Sequence, residues 1–460
     1  MTYQWKALIL AALWLNATLV PLIGVPVLLP SISAEFGSSI STTAWVSLAY
    51  SLAMAGAFMP ASHAGDLLGH KRVALLGSYI EVLFMLIIVF APNIALLIAL
   101  RFGQGIVHSL AVPNFNAFAV GGFPQEQRGK AAGILNGAIG IGMLIVPFAV
   151  GFTSDQLSWR WVFFISSLII LTITILGSFG FKEPSTYRAK PSISHFDLPG
   201  AALLMVAVAP LIIGVQFIRN ESANISTALL VVSALLFVFF ILSQKRTTSP
   251  TLPIYMFKKA SFAVPSINNI AIQFSQGVGV YILPIFFIQG LGWSATYAGA
   301  VMFGMAIGRP PSSVIGGFIS DKFGGMFVIL LASFILVISL AGLAYTGPSG
   351  SLSGLLPWMI LYGASQSMVQ TGLQKQMYGA VPKESLGMAP GVLGLGRHLG
   401  QAIGVGVAAS IFSSFTTFPA DSPTDGFRVT MFVTALIVGG TIAAASILSK
   451  VGFRRKRDTF

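Results

Sequence analysis

The chain of 460 residues is 55% hydrophobic and 8% charged, with a mean hydropathy of +0.85, a net charge of +13 and no cysteine. A soluble globular protein carries about a quarter charged residues, so this composition excludes a soluble fold and reads as a polytopic membrane protein. The missing cysteines exclude disulfides, thiolate metal sites and cysteine nucleophiles.

A helix needs about 20 apolar residues to cross the hydrocarbon. Fourteen such spans are expected, near 7–30, 43–62, 73–91, 94–120, 131–152, 160–181, 198–218, 226–243, 261–290, 294–318, 327–346, 353–380, 388–414 and 428–449. Residues 7–30 follow Lys6 as a signal peptide would, but they are long enough to span and more spans follow, so they are read as the first helix. All spans must be helical, because an unpaired backbone group in lipid costs several kcal/mol. Twenty of the 26 lysines and arginines fall in the connections after even-numbered spans, in the two tails or, for Lys375, near the end of the twelfth span that leads into such a connection. Arg160, Arg219 and Arg428 fall on the other side, and Arg101, Arg309 and Arg397 lie inside spans. By the positive-inside rule both termini are cytoplasmic. The positive excess is thus one of topology rather than of nucleic-acid binding. The tail Arg454-Arg455-Lys456-Arg457 is expected on anionic lipid headgroups.

Two echoes divide the chain. Ser62 to Arg72 carries Asp66 followed by Gly69, and 255 residues later Asp321 is followed by Gly324. Pro124, Glu126, Gly129, Gly133 and Gly142 recur 258 residues on as Pro382, Glu384, Gly387, Gly391 and Gly400. Two echoes of nearly equal offset argue for a duplicated membrane half. The expected architecture is all-α: a six-helix bundle over 1–182, a linker and two inserted helices over 183–250, and a second, pseudo-symmetric six-helix bundle with a basic tail over 251–460.

Asp66 is placed by the sequence just before the third span, where a helix N-terminus favours negative charge. Gly69 permits a tight turn, and His70, Lys71 and Arg72 hold the loop in the cytoplasm. These features resemble the major facilitator superfamily, whose cytoplasmic motif has Gly and then, four residues on, Asp-Arg-x-Gly-Arg-Lys. The first copy departs at Ser62, Leu67 and His70, whereas Gly317, Asp321, Lys322 and Gly324 match more closely. Arg101-Phe-Gly-Gln104-Gly105 is similar to the Arg-x-x-Gln-Gly of that family's fourth span. Gly133, Gly142, Pro147 and Gly151 match its exporter motif, with Val146 and Val150 where Gly is usual. Trp159-Arg160-Trp161 and Arg397-His398-Leu399-Gly400 look like segments of the fourteen-span drug:proton antiporter branch. The resemblance implies proton-coupled, multidrug-type efflux by two six-helix bundles around a cavity that opens alternately to either side. It also implies a gate that includes Asp66, Gly69, Arg72, Asp321 and Gly324, joined by Arg101 and Arg397 in a chiefly structural role. In place of the acid that this branch often carries in its first span stands Pro21.

The family's cavity is lined by the first and fourth spans of each half. Polar residues gather in the same spans: Asn16, then His108 and Asn114, then Asn269, Gln273 and Gln276, then Gln366 and Gln370. Spacings of three and four put the last two sets on single helical faces. Amides in lipid must face the interior, either to bind substrate or to hold helices together. Arg309, before Pro310 and Pro311, is a candidate for an anionic substrate group or for pairing with Glu81. Glu81 lies roughly 12–14 Å into the third span and is the only carboxylate well inside any span, hence the candidate proton-coupling residue. The 13 acids, mostly in loops, and five scattered histidines supply no catalytic or metal-binding set. A proton-coupled peptide importer would carry Glu-x-x-Glu-Arg in its first span, and this one does not. No phosphate-binding Gly-rich loop is present, so an ion gradient must drive transport. The expected partners are a small-molecule or lipid substrate, protons and membrane lipids, with no cofactor. The reading is a monomeric multi-pass protein of the plasma membrane that exports amphipathic molecules, or else a lipid or organic anion.

Overall fold

The computed structural model describes residues 3–179, 197–218, 223–247, 250–252, 254–293, 295–347, 351–382, 385–416 and 422–457. The first bundle boundary, at 182, and most of the linker that follows it lie outside these. The described residues contain helices and no strand. The first span is broken into α1 (Tyr3–Ala17), a wide π turn (Val20–Gly24) and α2 (Val25–Phe36). Pro21 and Pro26 remove backbone donors there. The freed Pro21 carbonyl accepts a hydrogen bond from Arg101 Nη2 at 2.7 Å. Arg101 also donates to Val46 O at 3.1 Å and Gln104 Oε1 at 2.7 Å, and its guanidinium lies 4.1 Å from the Tyr50 ring centroid. It is fully buried, a tie between the bent first span and its neighbours.

The remaining helices are α3 (Ile40–Leu68), α4 (His70–Val89), α5 (Ile94–Gly121), α6 (Arg128–Gln156), α7 (Trp159–Phe179), α8 (Leu198–Ile218) and α9 (Ala223–Arg246), followed by α10 (Ala260–Ile285), α11 (Ala295–Phe323), α12 (Gly325–Thr346), α13 (Leu352–Ala380), α14 (Met388–Thr416) and α15 (Pro423–Arg457). With the broken first span counted once, they make fourteen helical units. Among the described residues, eleven are long and apolar enough to cross a membrane. The exceptions, α11, α13 and α14, are 29 residues each, but they carry Arg309, the glutamine stripe and Arg397. Their polar residues are turned inward, which lowers mean apolarity without exposing charge to lipid.

The duplication is visible in the packing. In the first half α3 and α4 pack on α5, α4 on α7, α1 on α6 and α6 on α7. In the second half α11 and α12 pack on α13, α12 on α15, α10 on α14 and α14 on α15. Each contact of one set is the counterpart of a contact in the other, with α10 standing for the broken first span. The halves meet along two equivalent seams, α6 on α11 and α3 on α14. The pair α8–α9 has no counterpart and lies against the α3–α14 seam through α8. At its foot the buried Asp197 caps α8 by accepting from Gly200 N–H at 2.9 Å, and it also accepts from Gln244 Nε2 at 2.6 Å and Thr251 N–H at 3.2 Å. Burial pushes the Asp197 carboxyl up, but these hydrogen bonds together outweigh it and leave its pKa below the ordinary value.

Two expected loops prove to be helix. Ser62 to Leu68 belongs to the last turns of α3, and Gly317 to Phe323 to the end of α11. Only Gly69 and Gly324 form the connections, at φ 97° and 91°, where a side chain would be strained. Of the polar residues that resembled a loop, Ser62, His63, His70 and Ser320 are buried, whereas Arg72 and Lys322 are exposed.

Candidate substrate cavity and gates

A cavity of about 470 Å³ lies between the halves. Its two walls differ. The first half contributes chiefly apolar side chains, among them Leu19, Leu22, Ile23, Met54 and Met143. The second half contributes Gln273, Gln276, Gln366, Gln370 and Gln401 together with Arg309, Arg397 and His398. Three of the amides form a chain: Gln401 Nε2 donates to Gln273 Oε1 and Gln273 Nε2 to Gln370 Oε1, each at 3.1 Å. The Gln370 Nε2 donor at its end is buried and has no partner. Arg309 reaches Met143 Sδ at 3.4 Å through Nη1, and its buried Nε has no partner.

Of the substrate residues expected from sequence, the structure therefore brings together Gln273, Gln276, Arg309, Gln366 and Gln370. It places four others away from the cavity wall. Asn16 Nδ2 donates to Ala12 O of its own helix at 2.8 Å. Asn114 ties α5 to α3 by donating from Nδ2 to Ala61 O at 2.9 Å, and its Oδ1 accepts from His70 Nδ1 at 2.7 Å. Asn269 Nδ2 donates to Leu393 O at 2.8 Å, joining α10 to α14. His108 faces Glu81. His398, read from sequence only as part of a family-like segment, lines the cavity as well, and Gln401 and Asn136 are cavity residues that the sequence reading passed over. Gln401 was within reach of it, since it stands four residues from Arg397 and so on the same face.

Glu81 is fully buried and its Oε1 lies 2.9 Å from His108 Nδ1. The partner is this histidine, not Arg309 or Arg397. Its Oε2 has no hydrogen-bond partner. The His108 ring stacks on Trp14 at 5.6 Å and lies 5.5 Å from the Tyr50 ring. The arrangement sets a carboxyl and an imidazole side by side in a buried position.

The gate residues form two equivalent latches. Asp321, in the last turn of α11, accepts from Gly129 N–H at 2.9 Å and Lys130 N–H at 2.8 Å, at the start of α6, and from Lys375 Nζ at 2.7 Å. Asp66, in the last turn of α3, accepts from Gly387 N–H at 2.7 Å beside the start of α14, and His70 Nε2 lies 3.3 Å away. So Asp66 serves the N-terminus of a helix in the other half rather than that of α4. Each latch sets a carboxylate on unsatisfied N–H groups at the positive end of a helix. Backbones approach closely here: a Cβ on Gly133 would meet Ser313 O and sit 3.1 Å from Gly317 Cα. Arg128, also passed over by the sequence reading, is buried at this end and donates to Tyr378 O across the seam and to Phe123 O at 3.1 Å. Arg72 is exposed and Arg397 lies at the cavity instead. In α6, Gly142 packs against Asn16 and Leu19, and Gly151 lies near Val27. Pro147 is within α6, with its side chain outside the described residues. At the far end, Arg160 pairs with Glu35 and donates to Val89 O and Ala91 O at 2.9 Å each, closing the C-terminus of α4.

Known proteins resemble this chain in sequence and fold. The chain is 25% identical over 389 residues to the riboflavin transporter RibZ of Clostridioides difficile (strain 630), covering 85% of this chain and 84% of that protein. It is 26% identical over 395 residues to the multidrug resistance protein Stp of Mycobacterium tuberculosis (strain CDC 1551 / Oshkosh), covering 85% and 72%. The crystal structure of the human organic anion transporter MFSD10 (TETRAN) shares the fold, with a TM-score of 0.67 at 15% identity over 95% of this chain and 100% of that one. The description Major Facilitator Superfamily matches residues 8–405 and, in a second alignment, 266–457. With duplicated halves, a cavity between them and a family match over most of its length, the chain belongs to the Major Facilitator Superfamily and is a transporter.

Proposed function

We propose that the chain is a proton-coupled exporter of amphipathic small molecules, working by alternating access as a monomer in the plasma membrane, in the fourteen-helix drug:proton antiporter branch. The observation that carries this reading is the cavity with one apolar and one amide-rich wall, set behind two equivalent latches. An apolar wall with a few placed polar groups suits a ligand with an apolar body and a polar end. The bundles are taken as 1–182 and 251–460, with 183–250 as the inserted segment. The basic residues on the latch end support a cytoplasmic placement of that end and of both termini, with Arg454 to Arg457 resting on anionic headgroups. Both latches are engaged, so this conformation is closed to the cytoplasm. Opening to the cytoplasm requires Asp66 and Asp321 to release α14 and α6. Glu81 with His108 is the proton site, since it is a buried carboxyl whose hydrogen-bonded partner is a histidine, with the Arg101 charge nearby but not bonded to it.

The test is accumulation of a neutral amphipathic fluorophore by proteoliposomes of the full chain under an imposed pH gradient. Uphill movement that collapses when the gradient is dissipated is the expected result. Downhill movement only, indifferent to the gradient, overturns proton coupling.

A further inference from the structure

The charges around the cavity do not balance. Arg309 on α11 and Arg397 on α14 both line it, close enough to repel one another. Among the described residues neither has a carboxylate within ion-pair distance, and none of the cavity's lining residues is acidic. Glu81 is engaged with His108. Two cations inside a membrane bundle without a counter-ion cost several kcal/mol each unless something neutralises them. The unpartnered polar atoms point the same way. Arg309 Nε and Gln370 Nε2 are both N–H donors, buried and unused. The amide chain from Gln401 through Gln273 ends on Gln370, and all three residues belong to the cavity lining. A ligand that suits this lining brings acceptor oxygens and negative charge. Facing these groups is the apolar wall of Leu19, Leu22 and Met54.

We propose that the cavity selects amphipathic organic anions, with Arg309 and Arg397 taking the acidic head, Gln370 donating beside them, and the apolar body lying on the first half's wall. The inference rests on the transporter reading and gives it a substrate class. A sulfonate, carboxylate or phosphate ester meets the same donors, whether on a soluble molecule or on a lipid. Arginine suits each, because its planar fork binds such groups in two-point fashion.

The experiment uses the full chain in proteoliposomes and three probes that share one ring system: anilinonaphthalene sulfonate, its quaternary ammonium analogue and the neutral parent. Wild type is expected to bind and move the sulfonate at least about tenfold better than the ammonium probe. R309Q and R397Q should each weaken sulfonate binding by roughly tenfold to a hundredfold, and binding of the neutral probe by distinctly less. R309K, which keeps the charge, should recover part of the loss, and unchanged melting of each variant excludes misfolding. Equal or better transport of the ammonium probe by wild type overturns the proposal while the transporter reading stands. So does an undiminished sulfonate preference in the R309Q/R397Q double variant. Movement of none of the three probes, and none of fluorescent phosphatidylglycerol between leaflets, overturns both. Arginine-dependent movement of that lipid but not of the sulfonate supports the proposal and assigns the acidic head to a lipid.

Discussion

At the scale of single residues, the environment of Glu81 decides between two roles. Had its partner been an arginine, neutralising it would strand a buried charge and cost about 3–5 kcal/mol. Its partner is His108 Nδ1, and a glutamine in its place still offers an acceptor oxygen. E81Q is therefore expected to cost about 1.5–3 kcal/mol, the worth of a hydrogen bond to a charged group, because it also removes negative charge near the buried Arg101. It should still abolish pH-driven accumulation while leaving downhill exchange intact. Melting curves and the two transport modes check this in one protein preparation; preserved accumulation in E81Q would remove Glu81 from the coupling site. Asp197 gives a pH prediction of known sign. Its folded pKa is depressed, so its stabilisation is fully present above the unfolded value of about 3.9 and is lost as pH falls through the folded value. D197N should lower stability by about 1.5–3 kcal/mol near neutral pH. The gap between the two proteins should close as the medium is taken below about pH 4, read as melting temperature against pH.

At the scale of helices, the seams depend on how near two backbones can come. On α6, a Cβ at Gly133 meets backbone atoms of Ser313 and Gly317, which cannot turn aside. On α14, a Cβ at the equivalent Gly391 meets the side chains of Met59 and Ser62, which can move. G133A should thus hinder closure of its seam and slow transport several-fold, costing about 1–3 kcal/mol as an overpacked contact does. G391A should be milder, and equal effects would mean that the seams do not close by backbone contact. The glycine series and its echo were legible in the sequence, and so were the glutamine stripes of α10 and α13, because both depend on spacing along one helix. The use of Asp66 was not legible. Its acceptor role is toward Gly387, 321 residues away, and no local pattern names a partner at that distance. Asn269 shows the same limit: it shares a face with Gln273, yet its amide is consumed by the Leu393 carbonyl. Periodicity finds the face that looks inward but cannot tell a cavity from a neighbouring helix.

At the scale of the whole molecule, the latches weigh the two access states against each other. Asp321 holds two backbone N–H groups and the Lys375 ammonium, whereas Asp66 holds one N–H group with His70 nearby. Hydrogen bonds to a charged group contribute about 1.5–3 kcal/mol each, so D321N should shift the population toward the cytoplasm-open state more than D66N. A cysteine at the cavity residue Ser51, in this cysteine-free chain, reports the shift. Its labelling by an impermeant thiol reagent from outside should slow several-fold in D321N and less in D66N. In the proposed alternating-access cycle, the rocking motion would carry Arg309 and Arg397 from the electrical surroundings of one side to those of the other. A charge moved through the whole membrane field exchanges about 2.3 kcal/mol per 100 mV. With the cell interior negative, two unbalanced arginines favour the state open to the inside when the carrier is empty. Once an anion has neutralised one of them, that preference weakens and the loaded carrier is freer to turn outward. The resting potential then acts as a return spring on the empty carrier, drawing it back to the side where the next molecule waits.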